Sequence, residues 1–156
     1  MKELDKKDLA ILRLLLQDGR ISHVAVGEAI GLSNAAVAGR VKKLEESGYI
    51  AGYHADIRTE KLGLGYTALL LVQLSQHGKG RLEAFERVLE KQCRYVLNCH
   101  RLDGSWDYCL VVMATDKTHF DTIRNEIREL EHVERLRTYP ARTIFTALPP
   151  LPEDTI

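Results

Sequence analysis

Basic and small side chains occur together in one short segment, residues 31–50, "GLSNAAVAGRVKKLEESGYI". Its clustered cations are Arg40, Lys42 and Lys43, and its exposed small residues are expected to be Ala35, Ala36 and Gly39. The whole chain of 156 residues has 22 basic and 22 acidic residues, so its formal net charge is zero. Because no overall field attracts an anion, an anionic partner must be held by a local patch such as this one.

Hydrophobic periodicity predicts three short helices in the first third of the chain. The first carries Leu9, Leu12, Leu15 and Leu16 at helical spacing, with Asp5 as its N-cap, Asp8 three residues later and Gly19 at its end. The second covers about residues 23–30 after Ser22, and the third runs from Ser33 to about Ser47. Residues 49–57 read as a short extended segment that leaves the helices.

The second and third helices have the spacing of a helix-turn-helix. Gly31 supplies the turn, Gly27 is small where the two helices must meet, and Val37 anchors the second of them, together with Val41 and Leu44. The opposite side of this helix is slim enough to enter the major groove of double-stranded DNA. The residues predicted to contact DNA are Ser33, Asn34, Ala35, Ala36, Gly39, Arg40, Lys42 and Lys43.

Each predicted contact has a chemical reason. Asn34 can pair with the edge of an adenine, whereas Arg40, Lys42 and Lys43 suit phosphates. Between Ser33 and Lys43 the sequence contains no acid that would repel the duplex. We therefore expect removal of Arg40 to weaken binding and to flatten its dependence on salt. The alternative is a solvated helix on a small helical bundle.

The remainder of the chain alternates strands and helices. Strands are expected at 67–75, 95–102, 106–115 and 133–148, and helices at 79–91 and about 117–130, the latter with Thr118 and Asp121 as a capping box. This order, βαββαβ, predicts a ferredoxin-like domain and an α+β fold class. The predicted divisions are a helix-turn-helix domain (1–52), a linker with a short strand (53–65), the ferredoxin-like domain (66–148) and a loose tail (149–156).

Two of these strands are apolar on both sides. Leu69 and Leu71 alternate with Leu70 and Val72, and Val111 and Met113 alternate with Leu110 and Val112. In a ferredoxin-like fold both helices cover one face of the sheet, so the other face needs a different cover. This pattern predicts an obligate homodimer.

At these residues the chain resembles the leucine-responsive regulator/asparagine-regulator (Lrp/AsnC, or feast/famine) transcription factors. The family pattern reads "LDKKDLAIL" (4–12), "DGRIS" (18–22), "GLS" (31–33), then Val37, Arg40, Val41, Leu44, Glu45, Gly48, Ile50, Tyr53 and "GSWDY" (104–108). The resemblance implies a winged-type helix-turn-helix, a ferredoxin-like domain, dimers that assemble into octamers, and a cytoplasmic, nucleoid-associated protein of a prokaryote. It also implies an amino-acid effector, bound partly by the turn around Gly104.

The effector residues that the resemblance implies are Leu102, Asp103, Gly104, Ser105, Trp106 and Asp107. Backbone N–H groups near a glycine suit a carboxylate, and the Asp107 carboxylate suits an α-ammonium group. The chain departs from the family pattern at Ser105, where an acid is common, and at Asp103, where Ser or Thr is common. It also lacks the proline often found near the start of the recognition helix. These departures leave the identity of the effector open, with a plain hairpin turn as the alternative.

Two other functions are alternatives to DNA-binding regulation. Sirohaem decarboxylases have a similar architecture but are enzymes, and would gather groups such as His100, Arg101, Tyr108 and Tyr139 over a tetrapyrrole. A ligand-sensing module with a silent DNA domain is a third reading. The cysteines at 93, 99 and 109 and the scattered histidines predict no metal site and no other cofactor, and no apolar run approaches the roughly 18–20 residues of a membrane span.

Overall fold

The structure is a computed structural model that describes residues 4–75, 80–146 and 148–151. Residue 79 at the start of the predicted helix, His77 and positions 152–156 of the predicted tail lie outside the described residues. The chain divides into two compact units, one of residues up to Asp56 together with those from Thr146, and one of Ile57–Phe145.

The first unit contains three helices, as predicted. They are α1 (Lys6–Gln17), α2 (His23–Ile30) and α3 (Asn34–Glu46). Asp5 and Asp8 form the predicted capping box at the start of α1, and the hydroxyls of Ser22 and Ser33 accept backbone N–H bonds at the starts of α2 and α3. The apolar sides of the helices meet in one core of buried residues, Ile11, Leu12, Val26, Val37, Val41 and Leu44.

Two glycines determine the turn between α2 and α3. Gly31 ends α2 with φ 68° and ψ 48°, a left-handed conformation that favours glycine. A Cβ atom added at Gly27 would lie 2.4 Å from the carbonyl oxygen of Leu32 and 3.6 Å from Cγ2 of Val37. The helices therefore approach at Gly27 as the sequence predicts.

Two expectations about the ends of this unit are wrong. The short strand expected in the linker, residues 53–65, is absent although the structure describes all of these residues, and the element found there is a 3₁₀ helix at Thr59–Leu62. Leu151, expected in a loose tail, packs against the core of the first unit. An apolar side chain near the end of a chain gains more from burial than from exposure, and the tail pattern alone does not show which core it reaches.

The second unit is a four-stranded antiparallel sheet with two helices. Its elements are β1 (Tyr66–Leu74), α4 (Arg81–Gln92), β2 (Val96–Arg101), β3 (Tyr108–Ala114), α5 (Lys117–Arg128) and β4 (Val133–Ala141). The strand order is β2-β3-β1-β4, which is the ferredoxin-like arrangement predicted from the sequence. Pro140 lies on the edge strand β4, where a missing N–H is tolerated.

The cap of α5 differs from the prediction. Asp116 is the N-cap, since its side chain accepts a hydrogen bond from the N–H of His119 at 2.9 Å. Asp121 instead forms an ion pair with Lys117 at 2.6 Å. The sequence offers Asp116 and Thr118 as N-cap acceptors two residues apart, and only the position at which the strand ends decides between them.

The two faces of the sheet differ in burial. On β1 and β3 every second residue is fully buried beneath α4 and α5, including Leu70, Val72, Leu110 and Val112. The residues between them, including Leu69, Leu71, Val111 and Met113, are only half-buried in the single chain. This second face, which we call the open face, is apolar in the middle.

Candidate nucleic-acid interface and ligand site

The helix α3 has one buried and one exposed side. Val37, Val41 and Leu44 are 0%, 5% and 3% exposed. The exposed predicted contacts are Ser33, Asn34, Ala35, Ala36, Gly39, Lys42 and Lys43. A Cβ atom added at Gly39 would have no neighbouring atom within 4 Å. Small side chains on this side of the helix therefore serve no packing need within the chain.

The start of α3 is arranged to leave polar groups at its tip. The hydroxyl oxygen of Ser33 accepts a hydrogen bond from the N–H of Ala36 at 3.2 Å. The hydroxyl proton remains available to a phosphate oxygen, because a hydroxyl both donates and accepts. Asn34 is the first residue of the helix, so its side chain lies beside this cap. A helix N-terminus also favours a nearby anion.

The two lysines of α3 are exposed. Lys42 lies 3.7 Å from Glu46, an i, i+4 pair between exposed groups that contributes little stability. Lys43 is in the last turn of the helix, where a cation is favoured by the helix dipole. Neither lysine is needed to hold the core, so both are suited to contact phosphates.

Arg40 is placed differently from the lysines. Its Nη1 donates to Asp5 Oδ2 at 2.7 Å and to Asp8 Oδ1 at 2.6 Å. Hydrogen bonds to these two carboxylates raise the pKa of Arg40 above its usual value. The absence of acids between Ser33 and Lys43 therefore does not describe the surroundings of α3, because the start of α1 supplies two carboxylates. A pairing across more than 30 positions leaves no signal in a single sequence.

The predicted effector residues form one loop between β2 and β3. Leu102, Asp103, Gly104 and Ser105 are exposed, and Trp106 and Asp107 are half-buried. The N–H of Leu102 donates to the carbonyl oxygen of Asp107 at 2.8 Å, which closes the loop. The six residues are thus brought together, in a compact hairpin connection.

Asp107 links this loop to the neighbouring strand β1. Its backbone N–H donates to the carbonyl oxygen of Val72 at 2.9 Å, and its Oδ2 accepts from the N–H of Leu74 at 2.7 Å. The carboxylate therefore has a structural partner in addition to any ligand role. Because a carboxylate has about four acceptor positions, a second partner is compatible with this bond.

A cation that sequence reasoning did not select lies beside the loop. The guanidinium carbon of Arg135, on β4, is 5.6 Å from the ring centroid of Trp106. The contact partner of Trp106 is therefore a charged group. The β4 residue could be found only once the strand order placed it near the loop.

The four residues that a tetrapyrrole enzyme would need are separated by the sheet. Arg101 and Tyr108 face the helices, where both donate to Glu86 Oε1, the Tyr108 hydroxyl at 3.0 Å. Burial, followed by the hydrogen bond to Glu86, raises the pKa of Tyr108 well above its ordinary value. The strand registers place His100 and Tyr139 on the open face instead. These groups do not gather over one ligand.

Within residues 4–75, 80–146 and 148–151, no group of three or more His, Cys, Asp or Glu residues could hold a metal ion. In the same part of the chain, no helix is long and apolar enough to cross a bilayer.

Comparison with known proteins connects both units to one family. Residues 4–51 match the family model for winged helix-turn-helix DNA-binding domains, and residues 67–143 match that of the Lrp/AsnC ligand binding domain. The chain is 34% identical to a proline dehydrogenase transcriptional activator of Rhizobium radiobacter, over 88% of each protein. The chain belongs to the Lrp/AsnC family. It is a DNA-binding transcriptional regulator, and the family findings do not support the sirohaem-decarboxylase alternative.

Other proteins are similar to this chain in sequence or in fold. A leucine-responsive regulatory protein of Rhizobium meliloti is 34% identical over 87% of each chain. A crystal structure of a transcriptional regulator from Neisseria meningitidis, in complex with L-Met, superposes with a TM-score of 0.84 at 29% identity, covering 96% of this chain and 97% of that one. The predicted Lrp/AsnC fold, with its helix-turn-helix and ferredoxin-like domains, is thereby confirmed.

Proposed function

We propose that this regulator recognises double-stranded DNA with the outward side of α3. The observation that supports the proposal is the division of this helix into a buried aliphatic side and an exposed side that, from Asn34 to Lys43, has only small, polar or basic residues. Asn34 and the small residues Ala35, Ala36 and Gly39 would approach the base edges. Ser33, Lys42 and Lys43 would contact the phosphates on either side.

A leucine at Gly39 tests this interface. No atom lies within 4 Å of a Cβ at Gly39, so Gly39→Leu should fold normally but hold α3 away from the groove floor. Gly65→Leu is the control, since a Cβ there is equally unobstructed and Gly65 has an ordinary φ. Fluorescence anisotropy with a duplex selected by the wild-type protein from a random pool should show weak binding for Gly39→Leu alone. Equal binding by both variants would refute the interface. If the wild type enriches no duplex from the pool at any salt concentration, a silent DNA domain is supported instead.

We also propose that an amino acid binds at the loop of residues 102–107 and that it controls DNA binding. Support comes from the match to a ligand binding domain, from a similar regulator crystallised with L-Met, and from a loop with exposed backbone beside Asp107. The α-carboxylate would meet backbone N–H groups and the α-ammonium would meet Asp107. An effector with unequal affinity for two assembly states would shift their populations, and so the spacing of the recognition helices.

A second copy of the chain is proposed to cover the open face. Its central residues are apolar and half-buried without a partner, and exposure of such a surface is unfavourable. The family resemblance extends this to an octamer of four dimers and to a cytoplasmic, nucleoid-associated location.

The effector and the assembly can be measured together. Thermal-shift screening of the twenty amino acids, followed by native mass measurement with and without each hit, reports both properties. A stabilising amino acid that changes the mass or the DNA affinity supports the proposal. If no amino acid shifts the melting temperature, or if the protein is a monomer at all concentrations, the corresponding part of the proposal is wrong.

A further inference from the structure

The first turn of α1 contacts both helices of the helix-turn-helix. On one side, Asp5 and Asp8 share the Nη1 atom of Arg40 from α3. On the other, the ammonium group of Lys7 donates to the carbonyl oxygen of Ile30, the last residue of α2. Three residues at the start of α1, namely Asp5, Lys7 and Asp8, thus contact the end of α2 and the middle of α3.

The surroundings of Arg40 oppose a direct contact with DNA. Its side chain is 32% exposed, and that of Asp8 is only 19% exposed. Both bonds are made by Nη1, so for this group to reach a phosphate Arg40 would have to leave two charge-assisted hydrogen bonds, which are stronger than neutral ones. It would also leave two carboxylates unpaired beside a polyanion, where like charges repel. With Arg40 in place, one cation offsets part of their charge.

We infer that Arg40 is a positioning residue, which holds α3 at its angle to α1 through Asp5 and Asp8 and does not contact phosphate. The phosphate contacts of α3 then fall to Lys42 and Lys43. Lys7 has the same role toward α2, because it satisfies a carbonyl at the end of that helix. The inference rests on the proposed DNA interface and assigns Arg40 a role that differs from the one expected from the sequence.

The salt dependence of binding separates the two roles. The logarithm of the affinity falls with the logarithm of the salt concentration by about 0.9 for each phosphate contact. Binding of the full chain to the selected duplex is measured from about 50 to about 300 mM salt. Lys43→Met should reduce this slope by about 0.9 for each protomer engaged. Arg40→Met should lower the affinity about two- to fivefold at every salt concentration and leave the slope unchanged.

A double-mutant cycle tests whether Arg40 acts through the acids. Asp5→Asn keeps a good N-cap residue, so the Asp5→Asn/Asp8→Asn background should fold without the two negative charges that hold Arg40. If Arg40 is a positioning residue, Arg40→Met has little further effect on DNA affinity in this background. If Arg40 contacts phosphate, Arg40→Met still lowers both affinity and slope there, and the inference is overturned. Melting temperatures confirm that each variant is folded at the temperature of the assay.

The outcomes also distinguish this inference from the DNA interface on which it rests. Should Lys43→Met and Gly39→Leu both leave binding unchanged, the interface itself is wrong. Should they weaken binding while Arg40→Met lowers the slope as much as Lys43→Met does, the interface stands and the positioning role fails. Lys7→Met provides a second check, with reduced affinity and an unchanged slope expected.

Discussion

Gly27 and Leu32 approach so closely that a Cβ atom at Gly27 would lie 2.4 Å from the carbonyl oxygen of Leu32. Backbone cannot move aside as the end of a flexible side chain can. Gly27→Ala should therefore destabilise the first unit by about 1–3 kcal/mol, the usual cost of overpacking. Chemical denaturation measures the change, which should leave the unfolding of Ile57–Phe145 unaltered.

Gly39→Ala is the matched control for this prediction. It also replaces a glycine in the helix-turn-helix, but a Cβ there meets nothing within 4 Å. Because alanine is a better helix former, Gly39→Ala should stabilise the unit by about 0.5–1 kcal/mol. Equal destabilisation by the two variants would show that close approach at Gly27 is not the reason for its glycine.

Leu69 on the open face provides a test of the homodimer. It is half-buried on the side of β1 opposite α4 and α5. Leu69→Lys would place a charge in the proposed subunit interface, so the native mass should fall to that of a single chain. Leu97→Lys, at a side chain that is 52% exposed on the edge strand β2, should leave the mass unchanged. A Leu69→Lys protein that keeps the wild-type mass would contradict the open-face interface.

Two substitutions of Asp107 separate its structural role from its proposed role in ligand binding. Asp107→Asn keeps an oxygen that can accept the N–H bond of Leu74, but removes the negative charge. It should fold as the wild type does and lose the thermal shift caused by the effector amino acid. Asp107→Ala loses both features and should also be less stable, by about 1–3 kcal/mol for the unsatisfied N–H. Retention of the full thermal shift in Asp107→Asn would remove Asp107 from the ammonium site.

Protonation of Asp5 in acid should make the protein less stable. The N–H of Asp8, followed by the Arg40 side chain, lowers the pKa of Asp5 below its ordinary value of 3.8. Its contribution is therefore fully present above the unfolded pKa and is lost as the pH falls through the lower folded pKa. Asp5→Asn should make the free energy of unfolding depend less on pH where Asp5 titrates. Arg40→Met should reduce this dependence by a smaller amount. Denaturation midpoints between roughly pH 5 and pH 2 measure the effect, and identical profiles would exclude Asp5 as a source.

Local features of the fold were predictable because their causes are local. The caps at Asp5, Ser22 and Ser33, the turn at Gly31 and the alternation along β1 each depend on a few neighbouring residues. For the same reason α3 could be divided into its two sides before its neighbours were known. The short strand expected within residues 53–65 failed, because a strand needs a partner and none pairs with this segment among the residues that the structure describes.

The features that were missed depend on contacts between distant parts of the chain. Arg40 meets acids that lie 35 and 32 positions away, and Arg135 reaches Trp106 only because β4 pairs with β1. Similarly, Asp107 bonds to Leu74, which is 33 positions away. Residue types suggested charges and ligands at these sites, but a single sequence contains no information on which partner each charge would find.

The central claim, that the outward side of α3 meets the duplex, is tested most directly by the DNA affinity of Ala35→Glu. Ala35 is exposed and lies two residues, or about 200°, around the helix from buried Val37. An acid in the first turn of α3 should stabilise the helix by about 0.3–1 kcal/mol through the helix dipole. Thr118→Glu serves as the control, because it introduces a glutamate two residues after the N-cap of α5, just as Ala35→Glu does in α3. We expect Ala35→Glu to melt no lower than the wild type yet bind the selected duplex at least about tenfold more weakly, with Thr118→Glu unaffected. Binding by Ala35→Glu as tight as that of the wild type would contradict the claim.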